Sequence, residues 1–226
     1  MPIRGIINIP GDKSISHRAL LISSIISGQN YISNLSTGLD VRNTLQCLND
    51  IGIKSYKKKD GIIIEGNTFN MSLSSLDCGN SGTTMRLLSG FLGGLNIPAV
   101  LTGDSSLSNR PMNRIIEPLS NMGIKINGDS GFPPITIEKT SQISSLKYKM
   151  RISSAQIKSA LLLAGVCANK EVSICEKYHS RDHTEIMLKN IGYDISINNN
   201  EILFKPSNAE IKNINIDIPG DISSAS

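Results

Sequence analysis

Aromatic residues are scarce in this chain of 226 residues, which contains no tryptophan and only 4% aromatic residues. Surfaces that bind single-stranded nucleic acids use aromatic rings to stack bases, so this composition disfavours such a partner. The net charge is only +4, and the single basic cluster, Lys57–Lys59, is predicted at an exposed hairpin tip. We therefore expect no nucleic-acid partner, and the slight positive balance is compatible with a small anionic ligand.

Long hydrophobic runs are also missing. No stretch of about 18 consecutive apolar residues occurs, so the sequence predicts no membrane-spanning helix and no membrane partner. The strand-like segment IRGIINIP follows the first residues directly and leaves no room for a signal or transit peptide. Hydrophobic residues make up 39% of the chain, which is enough for a packed core. We expect a cytoplasmic protein.

Cysteine is rare as well, and its spacing does not suit a metal. The chain has no C-x-x-C pair and no cysteine with a histidine at metal-ligand spacing. His179 and His183 are four residues apart, but no acidic or thiol residue completes a zinc site. We expect no metal and no cofactor, and we expect mainly buried free thiols at Cys47, Cys78, Cys167 and Cys175.

An internal repeat of about 70 residues organises the sequence. The phrase Leu-x-x-apolar-Gly occurs three times and ends at Gly52, Gly123 and Gly192, which lie 71 and 69 residues apart. Each phrase closes an amphipathic run, and a glycine in this place is typical of a helix C-cap. Two short alternating runs follow each glycine and predict a pair of strands.

A second, more apolar helix precedes each amphipathic one. The three apolar helices are SHRALLISSIISG, TTMRLLSGFLGG and AQIKSALLLAGVCA, and the strand-like segments YISNLS, PAVLTG and VSICEK follow them. The repeating unit is therefore β-α-β-α-β-β. We predict an α/β (α+β) domain of three such units, in which the apolar helices are parallel and buried and the sheets lie outside.

Each apolar helix is preceded by a polar turn rich in glycine or serine. These turns are PGDKSISHR, GNSGTTMR and RISSAQIK. If threefold pseudo-symmetry makes the helices parallel, their N-termini converge on one surface. The free N–H groups and the helix dipoles would then attract an anion there.

Several side chains near these turns suit an anion, although each has a plain structural alternative. Lys13 lies beside Ser14 and Arg18, which are four residues apart on a first helical turn and could reach one ligand. Gly79 and Gly82 allow the backbone to approach an anion closely. The alternative for Lys13, Ser14 and Arg18 is a capped helix with solvated charges, and the turn at Gly79 and Gly82 matches no Walker pattern.

Three further turns offer similar candidates. Arg110 precedes a predicted helix start and could bind an anion or simply be an exposed surface arginine. Ser153 and Ser154 are both N-cap candidates, and Gln156 could hydrogen-bond a ligand hydroxyl. Ser180 and Arg181 stand before the last amphipathic helix. All these turns recur at helix N-termini of one architecture, and together they indicate an anion site more strongly than any one of them alone.

Taken in chain order, these motifs resemble those of one enzyme family. PGDKSISHRALL, LDCGNSGTTMRLL, LTGDSSLSNRPMNRI, SSAQIKSALLLAG, SRDHTE and PGDISSA are similar to the motif series of the 3-phosphoshikimate 1-carboxyvinyltransferases, or EPSP synthases. The resemblance covers the whole chain at the family's spacing. It implies a transferase of the shikimate pathway that moves a carboxyvinyl group from phosphoenolpyruvate to shikimate 3-phosphate and releases phosphate.

The resemblance also implies roles for individual residues. Lys13 would contact both substrates and would be the catalytic residue in this chain. The other expected contacts of shikimate 3-phosphate are Ser14, Arg18, Ser154, Ala155, Gln156, Ser180 and Arg181. The other expected contacts of phosphoenolpyruvate are Gly82, Arg110 and Gln156. At Gly82 a larger side chain would crowd the inhibitor glyphosate.

The family's domain organisation is expected to carry over too. Its chains are roughly twice as long and form two similar domains. Residues 1–12 would then be a strand and hinge of the other domain, 13–218 the shikimate-phosphate-binding domain, and 219–226 the start of the second domain. The phrase Ile-x-Ile-Pro-Gly-Asp, which occurs at Pro10 and again at Pro219, would mark the two crossings.

Because the family's catalytic Asp and Glu belong to the other half, we expect this chain to be a half-enzyme that is inactive alone. Its partners would be the two substrates and the missing C-terminal half, and we expect a monomer. One alternative is a non-catalytic module that binds shikimate 3-phosphate. Another is the enolpyruvyl transferase acting on UDP-N-acetylglucosamine, although that family opens with Gly-x-Lys-Asn and has a cysteine in the loop corresponding to GDSSLSNRP.

Overall fold

The computed structural model describes residues 9–70 and 74–221, which contain seven helices and twelve strands. The helices are α1 (Lys13–Ile25), α2 (Leu39–Asp50), α3 (Gly82–Leu95), α4 (Ser105–Ser108), α5 (Asn113–Asn121), α6 (Ala155–Ala168) and α7 (His183–Asn190). The strands are β1 (Gly28–Ser33), β2 (Lys54–Lys58), β3 (Gly61–Gly66), β4 (Ser74–Asp77), β5 (Ala99–Thr102), β6 (Lys125–Asp129), β7 (Phe132–Glu138), β8 (Leu146–Lys149), β9 (Val172–Cys175), β10 (Asp194–Asn198), β11 (Glu201–Lys205) and β12 (Asn215–Asp217).

The strands form three four-stranded sheets with one shared topology. Their orders are β12-β1-β3-β2, β4-β5-β7-β6 and β8-β9-β11-β10. In each sheet the first pair of strands is parallel and the other pairs are antiparallel. The predicted threefold repeat and α/β class are therefore confirmed.

The first sheet takes its leading strand from the far end of the chain. Strand β12 pairs in parallel with β1, placing Ile216 beside Ile32, whereas β4 and β8 precede α3 and α6 directly. The predicted N-terminal strand IRGIINIP falls mainly on residues 1–8, outside the described residues. The first sheet is thus completed by a segment 184 residues away in sequence, counted from Tyr31 to Asn215, and the loop-closure cost of such a pairing grows only slowly with length.

The three repeated glycines have the backbone conformation that their phrase predicts. Gly52, Gly123 and Gly192 have φ values of +96°, +84° and +113° and follow α2, α5 and α7. Residues with a Cβ are strained at such φ values, whereas glycine reverses the chain there at no steric cost. The predicted C-caps are confirmed, and they direct each chain segment into its strand pair.

The apolar helices α1, α3 and α6 are largely buried. Helices α3 and α6 touch through their backbones, because a Cβ added to Gly90 would lie 2.0 Å from the carbonyl oxygen of Ala160. One turn later, a Cβ on Gly94 would lie 2.5 Å from the carbonyl oxygen of Ala164. The contact positions advance by four residues on both helices, so the two helices are parallel, as predicted.

The two Pro-Gly-Asp phrases lie side by side. Asp12 N–H donates to the carbonyl oxygen of Pro219 at 2.8 Å, and Asp221 N–H donates to that of Pro10 at 2.8 Å. Gly11 forms an antiparallel bridge with Gly220 between these bonds. The pairing brings the two ends of the described chain together. The assignment of residues 1–12 and 219–226 to a second domain stays a prediction.

The exposed lysines and the cysteines can be compared directly with the predictions made for them. Lys57, Lys58 and Lys59 are exposed at the end of the β2–β3 hairpin, as predicted. All four cysteines are free thiols, and Cys47 and Cys78 are fully buried whereas the other two are only partly buried. Across residues 9–70 and 74–221, no helix is long and apolar enough to cross a membrane. The same residues contain no cluster of His, Cys, Asp and Glu that could hold a metal ion.

Candidate functional site

The N-termini of the three buried helices are capped in the same way. Asp12, Ser81 and Ser154 each accept a hydrogen bond from the backbone N–H three residues later, at 2.8, 3.1 and 3.5 Å. This geometry confirms Ser154 as the N-cap of α6. The neighbouring residues of α3 and α6 also meet, since Gln156 Nε2 donates to Thr83 Oγ1 at 2.8 Å. The helix starts therefore converge.

Arg18 ties three helices together beneath this surface. Its Nε donates to Thr184 Oγ1 of α7 at 2.8 Å, and its Nη2 donates to Ser159 Oγ of α6 at 2.8 Å and to the Ala155 carbonyl oxygen at 3.4 Å. Its Nη1 donates to the Ser14 carbonyl oxygen at 2.8 Å. Burial lowers the pKa of Arg18 to about 10, so the guanidinium stays charged at neutral pH. Four of the five N–H groups of the guanidinium are engaged, and the side chain is almost fully buried.

Arg181 joins this group from the segment before α7. Its Nη1 donates to Ser14 Oγ at 3.1 Å, and its side chain is exposed. Six of the residues expected to hold shikimate 3-phosphate are thereby next to one another in a connected set, namely Ser14, Arg18, Ser154, Ala155, Gln156 and Arg181. We call this set the α1–α6 cluster.

Lys13 has a carboxylate partner that the sequence analysis did not identify. Its Nζ lies 3.0 Å from Asp40 Oδ2, in the first turn of α2. The lysine side chain is 52% exposed, so this pair adds little to stability and Lys13 remains free to turn to a ligand. An acidic residue in the first turn of a helix is a recognisable signal, but its partner lies 27 residues away.

Two arginines converge on Gly82 at the start of α3. A Cβ added to Gly82 would lie 2.7 Å from Arg86 Nη1 and 3.4 Å from Arg110 Nη1. Arg110 Nη2 donates to Asn80 Oδ1 at 2.6 Å, and Arg86 Nη1 donates to Gln156 Oε1 at 2.9 Å. Neither arginine has a carboxylate within ion-pair distance in the described part of the chain.

The crowding of positive charge at this point has an electrostatic cost. Burial, followed by the charges of Arg110 and Arg114, lowers the pKa of Arg86. An anion at Gly82 would relieve that repulsion. Arg86 was not among the predicted site residues, although it stands one turn after Gly82 in GNSGTTMR. Arg110 precedes a helix, as predicted, and lies between the short helix α4 and α5, which begins at Asn113.

A buried chain of hydroxyl groups connects α1 and α2 to the cap of α3. His17 Nδ1 lies 2.7 Å from Thr44 Oγ1, which lies 2.8 Å from Thr84 Oγ1, and Thr84 in turn donates to Ser81 Oγ at 2.7 Å. Burial lowers the pKa of His17 to about 4, so the ring is neutral at pH 7. This network fixes α1 and α2 relative to the N-terminus of α3 without adding charge.

A buried ionic group lies next to the α1–α6 cluster and was also missed. Lys158 Nζ lies 2.8 Å from Glu176 Oε2 and 2.7 Å from Glu185 Oε1, and all three side chains are at most 2% exposed. Burial raises the pKa of Glu185, although Lys158 opposes the rise. Lys158 is the only charged residue of the apolar helix AQIKSALLLAGVCA, which is the signal that could have identified it.

Cationic side chains lie beside helix N-termini at one end of the threefold repeat. This arrangement is typical of an α/β domain that binds small anions. The family model described as EPSP synthase (3-phosphoshikimate 1-carboxyvinyltransferase) matches residues 1–226. The chain therefore belongs to the EPSP synthase family. This assignment favours the resemblance over the UDP-N-acetylglucosamine enolpyruvyl transferase considered as an alternative.

Individual relatives agree with the family match. The chain is 45% identical over 229 residues to a 3-phosphoshikimate 1-carboxyvinyltransferase of Thermodesulfovibrio yellowstonii, covering 99% of this chain and 53% of the relative. It is 42% identical over 230 residues to the same-named protein of Streptococcus uberis, with the same coverage. An EPSP synthase structure from Acinetobacter baumannii superimposes with a TM-score of 0.89 at 40% identity, covering 98% of this chain and 51% of the other. The chain thus spans about half the length of the curated relatives it matches.

Proposed function

We propose that this chain supplies the shikimate-3-phosphate-binding half of an EPSP synthase, which transfers the carboxyvinyl group of phosphoenolpyruvate to shikimate 3-phosphate. The observation that carries the proposal is the α1–α6 cluster, in which Arg181 and Arg18 meet at Ser14. Two guanidinium groups beside a helix N-terminus suit a phosphorylated, anionic substrate. In this proposal Lys13, Ser154, Ala155, Gln156 and Ser180 complete the contacts of shikimate 3-phosphate.

Phosphoenolpyruvate is proposed to bind beside Gly82. The absent Cβ leaves room next to Arg86 and Arg110, and their unpaired charges suit its phosphate. Gln156 would approach both substrates, because it is hydrogen-bonded to Arg86 and belongs to α6. A larger side chain at Gly82 would crowd this space and therefore glyphosate as well.

The reaction needs a proton on the methylene carbon of phosphoenolpyruvate and attack at its C2 by the shikimate 5-hydroxyl. The tetrahedral intermediate that results then expels phosphate. Lys13 is proposed to serve as the acid–base group of this chain, and Arg110 to stabilise charge on the phosphate. The resemblance assigns the remaining acid–base carboxylates to the family's other half, which would be the partner of this chain.

The chain alone is expected to show no carboxyvinyl transfer. Lys13 has Asp40 as its carboxylate partner, and the resemblance gives that residue no catalytic role. The measurement is phosphate release from a mixture of shikimate 3-phosphate and phosphoenolpyruvate, with a full-length curated relative as the positive control. Turnover by the 226-residue chain would contradict the prediction and would make Asp40 the first candidate for the missing acid–base group.

Binding of shikimate 3-phosphate tests the proposed function directly. On titration, amide resonances should shift at residues 13–18, 153–156 and 180–181, because these segments form the α1–α6 cluster and its neighbours. Lys57–Lys59 serve as the internal control, since they are exposed cations in the first sheet. Shifts spread over Lys57–Lys59 and other surface lysines would mean non-specific anion binding and would overturn the proposal.

The proposed function also bears on the cellular location of the protein and on its oligomeric state. We infer that the protein acts in the cytoplasm as a monomer with respect to its own copies, with no nucleic-acid, membrane, metal or cofactor partner. The same site would serve a non-catalytic module that only binds shikimate 3-phosphate. Adding the missing C-terminal half to the turnover assay separates these functions, since a half-enzyme would gain activity from it and the module would bind without ever doing so.

A further inference from the structure

Glu176 is a buried carboxylate that closes the turn carrying Ser180 and Arg181. It follows strand β9, and its side chain is 1% exposed. Its Oε2 accepts a hydrogen bond from Ser180 N–H at 3.4 Å, and its Oε1 accepts a short hydrogen bond from Ser180 Oγ. The turn is therefore folded back onto a fixed negative charge.

Lys158 holds that carboxylate in place. Its Nζ lies 2.8 Å from Glu176 Oε2 and also donates to the Ser180 carbonyl oxygen at 3.4 Å. Because Lys158 belongs to the buried helix α6, the turn is anchored to the same helix that supplies Ala155 and Gln156. A buried, charge-assisted hydrogen bond is shorter and stronger than a neutral one, so this anchor is rigid.

The anchor determines where Arg181 can reach. Arg181 directly follows Ser180, its side chain is exposed, and its Nη1 lies 3.1 Å from Ser14 Oγ. A long exposed side chain loses much rotamer freedom when it binds a ligand, and that loss is smaller when the backbone beneath it is already fixed. The position of Ser180 therefore sets how well the turn is organised before any substrate arrives.

We propose that Glu176, neutralised by Lys158, is a positioning residue that holds the Ser180–Arg181 turn against Ser14 and thereby sets the affinity for shikimate 3-phosphate. This inference rests on the proposed function. Glu176 would not touch the substrate itself, and would act on it only through the Ser180–Arg181 turn. Glu185 shares the same lysine but has no contact with Ser180, so it provides a matched comparison.

The test compares Glu176→Gln with Glu185→Gln by calorimetric titration of the 226-residue chain with shikimate 3-phosphate. Both changes keep the side-chain shape, remove one buried negative charge and leave Lys158 with one carboxylate. Glu176→Gln should raise the dissociation constant about tenfold, the equivalent of one weakened charge-assisted contact. Glu185→Gln should change it less than about twofold, since the turn keeps its anchor. Equal effects of the two variants would overturn the positioning role.

A double-mutant cycle with Arg181→Ala adds a readout that a purely structural role would not move. If Glu176 acts through the turn, Glu176→Gln should weaken binding much less in the Arg181→Ala background than in the unmodified chain. Fully additive effects would overturn the inference. Should Glu176→Gln fail to fold, Glu176→Asp keeps the charge beside Lys158 but withdraws it from Ser180, and the same loss of affinity is expected.

The outcomes separate the two proposals. If the unmodified chain does not bind shikimate 3-phosphate, the proposed function fails, and this inference falls with it. If it binds and Arg181→Ala weakens binding while Glu176→Gln leaves it unchanged, the proposed function stands and only the positioning role of Glu176 is overturned.

Discussion

Lys158→Met is expected to lower the free energy of unfolding by about 3–5 kcal/mol, the range found when one partner of a buried ionic group is removed. The change leaves Glu176 and Glu185 as two buried carboxylates without their lysine, at side-chain exposures of 1%. Arg18 of α1 then still acts on Glu185 through its field. Urea denaturation followed by circular dichroism measures the loss.

The pH dependence of the stability loss and a compensating variant test whether the unpaired carboxylates cause it. Carboxylates that lose their lysine in the folded state have a raised pKa there, so they favour folding less as the pH rises above their unfolded pKa. The loss relative to the unmodified chain should therefore be larger at pH 8 than at pH 5. Adding Glu176→Gln and Glu185→Gln to Lys158→Met should recover most of the stability. A loss below about 1 kcal/mol would contradict the burial argument.

Arg18→Ala is expected to weaken shikimate 3-phosphate binding by about 10- to 100-fold. A charge-assisted contact with a phosphorylated ligand contributes about 1.5–3 kcal/mol, and each 1.4 kcal/mol is about tenfold in affinity. The change also releases Ser14 from α6, because Arg18 joins their backbone carbonyl groups. Calorimetric titration gives the affinity, and circular dichroism establishes that the variant is folded.

Arg114→Ala is the matched control for this variant. Arg114 is exposed, and no hydrogen bond or ion pair of it is found in the described residues, so its removal takes away one positive charge without disturbing the α1–α6 cluster. Its affinity should change less than about twofold. Similar losses for the two arginines would indicate that net charge, rather than the cluster, attracts the ligand.

The architecture and the location of the candidate site could be predicted from the sequence alone. The periodicity of helices and strands is a local property of the sequence. The glycines at Gly52, Gly123 and Gly192 are likewise recognised from the short phrase that each one ends, and their positive φ values depend only on glycine's own backbone freedom. The polar turns before three apolar helices predicted the converging N-termini, because a parallel arrangement follows from one unit repeated three times. The roles of the site residues came from the resemblance, and they stay predictions.

The pairing of charged side chains, by contrast, became visible only in the three-dimensional fold. Arg18 bonds to Thr184, 166 residues away, and Arg181 bonds to Ser14 across 167 residues. Such pairs have no period in the sequence, because a long side chain can reach any element that packs beside its helix. Tertiary packing likewise gives Lys158 its partners Glu176 and Glu185, and main-chain pairing between distant segments places β12 in the first sheet. Local sequence determined where a charge stands, and the packing of distant helices determined its partner.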